Sequence, residues 1–144
     1  MITRHHDWPS RLLAQVEAAR QLPFEWGVAD CCLTACDMVQ AITGVDPAAH
    51  FRGRYSTKAG AYRSLKAYAG GGLAATVERI TAELGMPEVP PLSAQRGDVV
   101  LIHAPECPPE SLALAICIGG YIAAQGPDGL TLEPMARGMR AWRV

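Results

Sequence analysis

The sequence lacks a hydrophobic segment long enough to cross a bilayer, and we expect no secretory signal. Its longest apolar stretch, from Leu112 to Ile118, is far shorter than the roughly 20 residues that a membrane-spanning helix needs. The N-terminal segment MITRHHDWPS contains no apolar core of the kind that signal peptides carry. We therefore expect a protein that is made in the cytoplasm and is not inserted into a membrane.

The sequence also lacks an excess of charge of either sign. A formal net charge of -1 excludes the positive electrostatic footprint of a nucleic-acid-binding protein and of a charge-anchored membrane protein. Hydrophobic residues make up 49% of the chain and charged residues 19%, a composition typical of a folded globular domain. We therefore expect a globular protein without a nucleic-acid partner.

The five cysteines follow none of the usual patterns for disulfides or metal sites. Their odd number does not fit a complete disulfide framework, and a chain of this length folds without one. There is no C-x-x-C motif, and three thiols on one helix, Cys31, Cys32 and Cys36, cannot all reach one tetrahedral ion. We expect neither a metal nor another cofactor. Cys107, which lies between prolines, is expected to be an exposed loop thiol.

Apolar periodicity predicts helices in the first two thirds of the chain. Asp7-Trp8-Pro9 is a helix start, since proline is favoured in a first turn, and Pro23 ends the segment. In that helix the apolar residues are expected to line one face: Leu12, Leu13, Val16 and Ala19. Three further helices are predicted at about 30–43, 57–69 and 73–84, each followed by a glycine.

Short apolar segments separated by turn residues predict strands in the rest of the chain. They follow a proline-rich linker at 86–95 and lie at 98–103, 112–118, 121–125, 130–135 and 141–144. Helices followed by strands indicate the α+β class, here with a small antiparallel β meander. We predict one domain over residues 1–144, with a helical half at about 7–85 and a sheet half at about 96–144.

If the second helix begins with Asp30 as its N-cap, Cys31 and Cys32 should lie in different environments. Cys32 then shares an apolar face with four later residues: Ala35, Cys36, Val39 and Ile42. Cys31 lies about a hundred degrees from that face, in a first turn whose unpaired N–H groups and dipole favour an anion. The spacing predicts a lowered pKa for Cys31 and makes it a candidate nucleophile, while a purely structural role stays open.

Three segments, PFEWGVADC, RGDVVLI and LALAICIGGYIAAQ, resemble the NlpC-type papain-like cysteine peptidases over roughly residues 20–126. The segment GVDPAAHFRGRYST and the terminal AWRV are similar to a branch of that superfamily encoded among tail genes of phages and gene transfer agents. The resemblance implies a papain-like NlpC-type fold and hydrolysis of peptide bonds in bacterial murein. It also implies that Cys31 is the nucleophile and that Trp26 and Asp30 line the site.

The sequence departs from this family where the other catalytic residues belong. The position of the family's general-base histidine falls on Ala113, or on Leu112 if the register shifts, and the orienting polar residue falls on Ala123. If the strand ending at His103 pairs with the next strand as a hairpin, His103 lies beside Ala113 and replaces the base. A histidine at a strand end that is merely exposed is the alternative. Gln125 is a candidate for polar support of the site.

Two functions follow from the resemblance. The first is a tail-tip or assembly protein with a weakened or lost hydrolase site, whose partners are other tail-tip or hub proteins. The resemblance then implies synthesis in the bacterial cytoplasm and a final place in a virion tail or gene-transfer-agent particle. The second is an active murein endopeptidase or amidase that acts on murein peptides through Cys31 and His103. A small binding module without phage context fits the composition but leaves the quoted motifs unexplained.

Overall fold

Four α-helices precede a β-sheet in the computed structural model, which describes residues 2–104 and 111–144. The helices are α1 at Trp8–Ala19, α2 at Leu33–Thr43, α3 at Lys58–Ala69 and α4 at Leu73–Leu84. This order confirms the α+β class that the periodicity predicts. Cys107, the predicted loop thiol, lies outside the described residues. Within them, no helix combines the length and the apolar character that crossing a membrane requires.

The described strands form one antiparallel sheet of six strands. They are β1 at Glu88–Val89, β2 at Val99–His103, β3 at Leu112–Cys117, β4 at Tyr121–Gln125, β5 at Leu130–Pro134 and β6 at Arg140–Trp142. Their order across the sheet is β1-β6-β2-β3-β4-β5, so β2 to β5 form the predicted meander. The last strand does not extend that meander, because β6 turns back and pairs with β2 through Trp142 and Val99.

β1 lies inside the segment 86–95, which the sequence presents as a proline-rich linker between the two halves of the domain. Glu88 pairs with Trp142 and Val89 pairs with Ala141, so β1 forms one edge of the sheet. A strand of two residues is too short to display an alternating pattern, and its proline-rich flanks favour a loop. The sequence therefore gives no sign of this short strand.

α1 keeps its predicted start but buries fewer of the predicted core residues. Leu12 and Ala19 are buried, whereas the side chain of Leu13 is 63% exposed. A rotation of about 100° per residue separates Leu13 from Leu12, so the two neighbours do not face the core together. The expectation that Leu13 belongs to the core is wrong.

α2 is the central helix and is buried over most of its surface. It packs against α1 and against strands β3 and β4. The buried apolar residues are four members of the predicted stripe and two further side chains: Leu33, Ala35, Cys36, Met38, Val39 and Ile42. Cys32, the fifth member of the stripe, is half-buried and precedes the helix. A helix with neighbours on several sides buries a wider surface than the single stripe that spacing predicts.

Alternate residues of β3 belong to two apolar clusters. Leu112, Leu114 and Ile116 pack in the core that also contains α2. Ala113 and Ala115 are fully buried in a second cluster, on the opposite face of the sheet. Because of this alternation, only one set of β3 side chains belongs to the cluster against which Cys31, in the loop before α2, packs.

Asp98, directly before β2, connects the first and last segments of the described chain. Its buried carboxylate accepts hydrogen bonds from Arg4 Nη2 at 2.9 Å and from Arg143 Nε at 2.8 Å. The backbone N–H groups of Gln95 and Val144 donate to the same carboxylate at 2.8 and 3.1 Å. Asp98 is thus a buried junction of two ion pairs.

Candidate functional site

The loop that carries Cys31 docks on β3 beyond the last paired residues of β3 and β4. The backbone N–H of Leu114 in β3 donates to the carbonyl oxygen of Cys31 at 2.7 Å. The ladder between β3 and β4 reaches only as far as Ile116 and Ala123, so the loop takes the next place beside β3. The backbone of Cys31 is therefore held directly against the strand that carries Ala113.

Cys31 and Cys32 lie in different environments, as their spacing predicts. Cys31 packs against the cluster that contains Ala113, and Cys32 packs against the core around α2. A hydrogen bond with Cys36 and burial raise the pKa of the Cys32 thiol, so this thiol is protonated at neutral pH. Cys32 is thus a core residue, and Cys31 is the cysteine that borders the Ala113 side of β3.

Asp30 is a buried carboxylate that organises the loop around Cys31. Its Oδ1 accepts hydrogen bonds from the N–H groups of Cys32 at 3.0 Å and Leu33 at 2.9 Å. Its Oδ2 accepts from the N–H of Gly27 at 3.0 Å and from the hydroxyl of Tyr55 at 2.5 Å. With four donors on two oxygens, Asp30 holds the loop in place on both sides of Cys31.

These hydrogen bonds change two expectations about the start of the helix. α2 begins at Leu33 and not at Asp30, because the turn closed by Asp30 keeps the residues before Leu33 outside the helix. The N–H groups of Cys32 and Leu33 were expected to favour a thiolate at Cys31. They donate to the Asp30 carboxylate instead.

The segment before Asp30 is shaped by Trp26 and Gly27. The Trp26 ring meets the Phe24 ring edge to face, with 4.8 Å between the ring centroids. Gly27 has a φ of 83°, and a Cβ at this position would collide with the carbonyl oxygen of Tyr55. Only glycine therefore fits between Trp26 and the chain at Tyr55.

A cleft beside Cys31 is lined mainly by apolar and aromatic side chains. Its lining includes Trp26, Asp30, Cys31, Tyr55, Tyr62 and Leu112. The cavity has a volume of about 30 Å³, which is room for one water molecule but not for a peptide side chain. The predicted site-lining residues Trp26 and Asp30 are therefore brought together with Cys31, in a narrow space.

His103 does not lie where the hairpin argument placed it. β2 and β3 do pair, but His103 is opposite Leu112, and Ile102 is opposite Ala113. Because strand residues alternate between faces, His103 shares the side of Leu112 and not that of Ala113. The side chain of His103 is exposed. The expectation that His103 lies beside Ala113 is thus wrong by one residue. Leu112, the actual neighbour of His103, lines the cleft beside Cys31.

Gln125, the expected polar support, connects β4 with α2. Its Oε1 accepts from the Thr34 hydroxyl at 2.8 Å, and its Nε2 donates to the carbonyl oxygens of Leu22 at 2.8 Å and Gly126 at 2.9 Å. Both ends of the amide are therefore occupied by contacts that join separate segments. The position of Gln125 indicates a structural role.

The other histidines lie at separate points of the described chain. The ring of His5 lies near Gly44, at the opposite end of α2. His6 is almost fully exposed, and His50 packs against the ring of Tyr68, with 4.9 Å between centroids. Within the described residues, no group of three His, Cys, Asp or Glu side chains is arranged to hold a metal ion.

Tyr55 is the site residue that the sequence does not reveal. It lies 25 residues after Asp30 in the chain, in a loop, and no periodic pattern leads to it. Burial and then the hydrogen bond to the Asp30 carboxylate raise the pKa of the Tyr55 hydroxyl. Tyr55 therefore acts as a neutral donor that fixes Asp30, and through Asp30 the Cys31 loop.

Tyr55→Phe is expected to lower the free energy of unfolding by about 2 kcal/mol near neutral pH, since a hydrogen bond to a charged group is lost. The raised pKa of Tyr55 adds a pH dependence. The difference in unfolding free energy between wild type and Tyr55→Phe is largest below about pH 10, the pKa of tyrosine in the unfolded chain. It falls as pH rises from there towards the pKa in the folded protein. Urea denaturation of both proteins between about pH 8 and 11 measures this difference. A difference that stays constant over this range would contradict the assignment.

The described fold and site define an α+β domain in which a cysteine-bearing loop is docked on an antiparallel sheet. A family model described as a domain of unknown function, DUF6950, matches residues 3–144. The chain therefore belongs to the DUF6950 family. No curated protein matches the chain.

Proposed function

We propose that this protein is a phage-type tail-tip or assembly protein built on an NlpC-like, papain-like scaffold whose hydrolase site is degenerate. The observation that carries the proposal is the position of Cys31 beside β3, against the cluster that contains Ala113. The backbone N–H of Leu114, the residue after Ala113, donates to the carbonyl oxygen of Cys31. The resemblance assigns the general-base histidine to position 113, and a methyl group there cannot take a proton.

The arrangement around Cys31 supports the finer part of the proposed fold. The resemblance implies an Asp-Cys pair at the N-terminus of a helix, then a strand that opens with Gly-Asp, and then the strand that carries the family's histidine. Asp30 accepts from the first N–H of α2 at Leu33, and Asp98 follows Gly97 at the start of β2. These residues match the family's Asp-Cys and Gly-Asp positions in the quoted motifs.

The proposed partners are other tail-tip or hub proteins of a phage or gene-transfer-agent particle. A scaffold kept without its catalytic base is explained by selection for a shape that other proteins bind. Antibodies against the chain are expected to detect it in particles purified on a density gradient from a host culture. Its absence from the particle fractions, with the chain present in the lysate, would contradict this part of the proposal.

The reactivity of Cys31 tests whether the site is degenerate. We expect the rate of alkylation by iodoacetamide to follow an ordinary thiol, with a midpoint near pH 8.5, and to be unchanged in His103→Ala. Peptide mass spectrometry assigns the label to Cys31. A midpoint well below that value in wild type, together with a shift in His103→Ala, would indicate a working Cys–His pair and contradict the proposal.

Ala113→His provides a positive control for this measurement, and Ala113→Gln is its matched control of similar size. An imidazole at position 113 faces the cluster against which Cys31 packs. It is expected to raise the alkylation rate near neutral pH about tenfold over the Gln variant, because an adjacent imidazolium stabilises the thiolate.

An active murein hydrolase is the second candidate, and one observation favours it. His103 pairs with Leu112, and Leu112 lines the cleft beside Cys31. This function predicts that purified murein sacculi release peptide fragments with the wild type but not with Cys31→Ala or His103→Ala. The proposed degenerate site predicts no release with any of the three proteins.

A further inference from the structure

One stretch of the chain contains basic residues and no acidic ones. Residues 47–77 include none of the 14 Asp and Glu residues of the chain. They contain five of its 13 Arg and Lys residues: Arg52, Arg54, Lys58, Arg63 and Lys66. A protein with a net charge of -1 therefore concentrates positive charge in the segment that includes α3.

Most of this positive charge is not neutralised within the molecule. Arg52 is the exception, because it forms ion pairs with Asp37 at 2.6 Å and Asp46 at 2.5 Å. The other four basic side chains are exposed, and within residues 2–104 and 111–144 none of them is in an ion pair: Arg54, Lys58, Arg63 and Lys66.

Three of these cations share the outer surface of α3 with a tyrosine. Lys58, Tyr62 and Lys66 are spaced by four residues and form one stripe, and Arg63 lies next to it. The Nζ of Lys58 is 5.8 Å from the centroid of the Tyr62 ring. We call these four residues the basic face of α3.

The basic face differs from the other exposed helix surfaces. Arg11 on α1 pairs with Asp7, and Arg79 on α4 pairs with Glu83, each across one helical turn. On α3, Arg63 and Lys66 are one turn apart and repel each other, and this weakens an isolated helix. A negatively charged ligand would remove that repulsion.

The basic face also borders the cleft beside Cys31. Tyr62 is 47% exposed. Its ring contributes to the outer stripe, next to Lys58, and also lines the cleft. A ligand that lies along α3 would therefore pass the mouth of the cleft. It would contact aromatic surface as well as positive charge.

We propose that the basic face of α3 binds an acidic segment of a partner protein, which lies along the helix and across the mouth of the cleft. Lys58 and Lys66 are eight residues apart, a distance of about 12 Å along the helix, which an extended peptide covers with about four residues. Three or four carboxylates therefore match the available cations. Nucleic acid fits less well, because a long polyanion extends past these few cations, and a protein with a net charge of -1 does not attract it there. The inference does not depend on the chemistry of Cys31.

A fluorescein-labelled peptide of about eight glutamates is the probe, and its anisotropy at about 20 mM NaCl measures binding. Lys58→Gln/Arg63→Gln/Lys66→Gln removes three cations of the basic face. Arg11→Gln/Arg20→Gln/Arg137→Gln removes three exposed cations elsewhere and is the matched control. We expect Kd to rise about tenfold in the first variant and less than about twofold in the control.

Several results would overturn the proposal, provided that circular dichroism and thermal melting show all three proteins to be folded. One is wild-type protein that does not bind the peptide, and another is equal binding by both triple variants. Tighter binding of an oligothymidylate or of phosphatidylglycerol vesicles than of the peptide would identify another class of ligand and reject an acidic protein segment.

Discussion

Asp30→Ala is expected to lower the free energy of unfolding by about 4 kcal/mol, the largest effect of any substitution near the candidate site. The substitution removes the acceptor for the N–H groups of Gly27, Cys32 and Leu33 and for the Tyr55 hydroxyl. Each buried donor left without a partner costs about 1–3 kcal/mol, and water can satisfy those nearest the surface. Urea denaturation followed by circular dichroism measures the change.

Two further variants separate the charge of Asp30 from its shape. Asp30→Asn keeps one acceptor oxygen for Cys32 and Leu33 but places an NH₂ group opposite the N–H of Gly27, so a loss of about 2 kcal/mol is expected. Asp128→Ala removes an exposed carboxylate in the turn after β4 and is expected to change stability by less than about 0.5 kcal/mol. Equal stabilities for Asp30→Ala and Asp128→Ala would reject the role assigned to Asp30.

The loss of Asp30 is also expected to change the environment of Cys31. The Asp30 carboxylate accepts hydrogen bonds from Gly27 on one side of Cys31 and from Cys32 and Leu33 on the other. In Asp30→Ala, labelling of Cys31 should therefore become faster at all pH values, because the loop separates from β3 more often. Unchanged labelling in a measurably destabilised variant would mean that Leu114 alone holds the loop.

Asp98→Ala is expected to cost about 4 kcal/mol, because it leaves the guanidinium groups of two arginines without their buried partner. Arg4 and Arg143 approach the carboxylate from the first and last segments of the described chain, and Val144 donates its backbone N–H. Guanidinium chloride unfolding measures the loss. Hydrogen exchange should show faster exchange in β6 than in β3, since β6 directly precedes Arg143.

An exposed ion pair serves as the control for Asp98. Arg140 and Glu88 are in contact at 2.8 Å, with exposed fractions of 30% and 49% for their side chains. Glu88→Ala is expected to cost less than about 1 kcal/mol, because water solvates the remaining charge. A double-mutant cycle of Asp98→Ala with Arg4→Met should give a clear coupling energy. Additive effects of these two changes would contradict a direct buried pair.

The fold class follows from periodicity, whereas the sheet order does not. The spacing of Val39 and Ile42 and the alternation in β3 report burial that each element carries in its own sequence. The pairing of β6 with β2 joins Trp142 to Val99, more than 40 residues apart in the chain. No local pattern encodes such a pairing, and the short β1 carries even less signal.

The sequence predicts the different environments of Cys31 and Cys32, but it places His103 one residue out of register. Cys31 and Cys32 separate as helical spacing suggests, although the helix begins at Leu33. His103 faces the side of Leu112, because strand pairing shifted by one residue exchanges the two faces of a sheet. The face on which His103 lies depends on the exact register of β2 and β3, and the sequence of a hairpin locates the strand ends only approximately.

The position of β6 between β1 and β2 has a consequence for the order of events on the ribosome. Strands β2 to β5 follow one another in the chain and can pair as soon as they emerge. The other edge of β2 stays unpaired until residues 140–142 have been synthesised. An unpaired edge accepts any extended chain as a neighbour, including that of another nascent protein. β6 therefore ends a period in which the growing chain is exposed to aggregation.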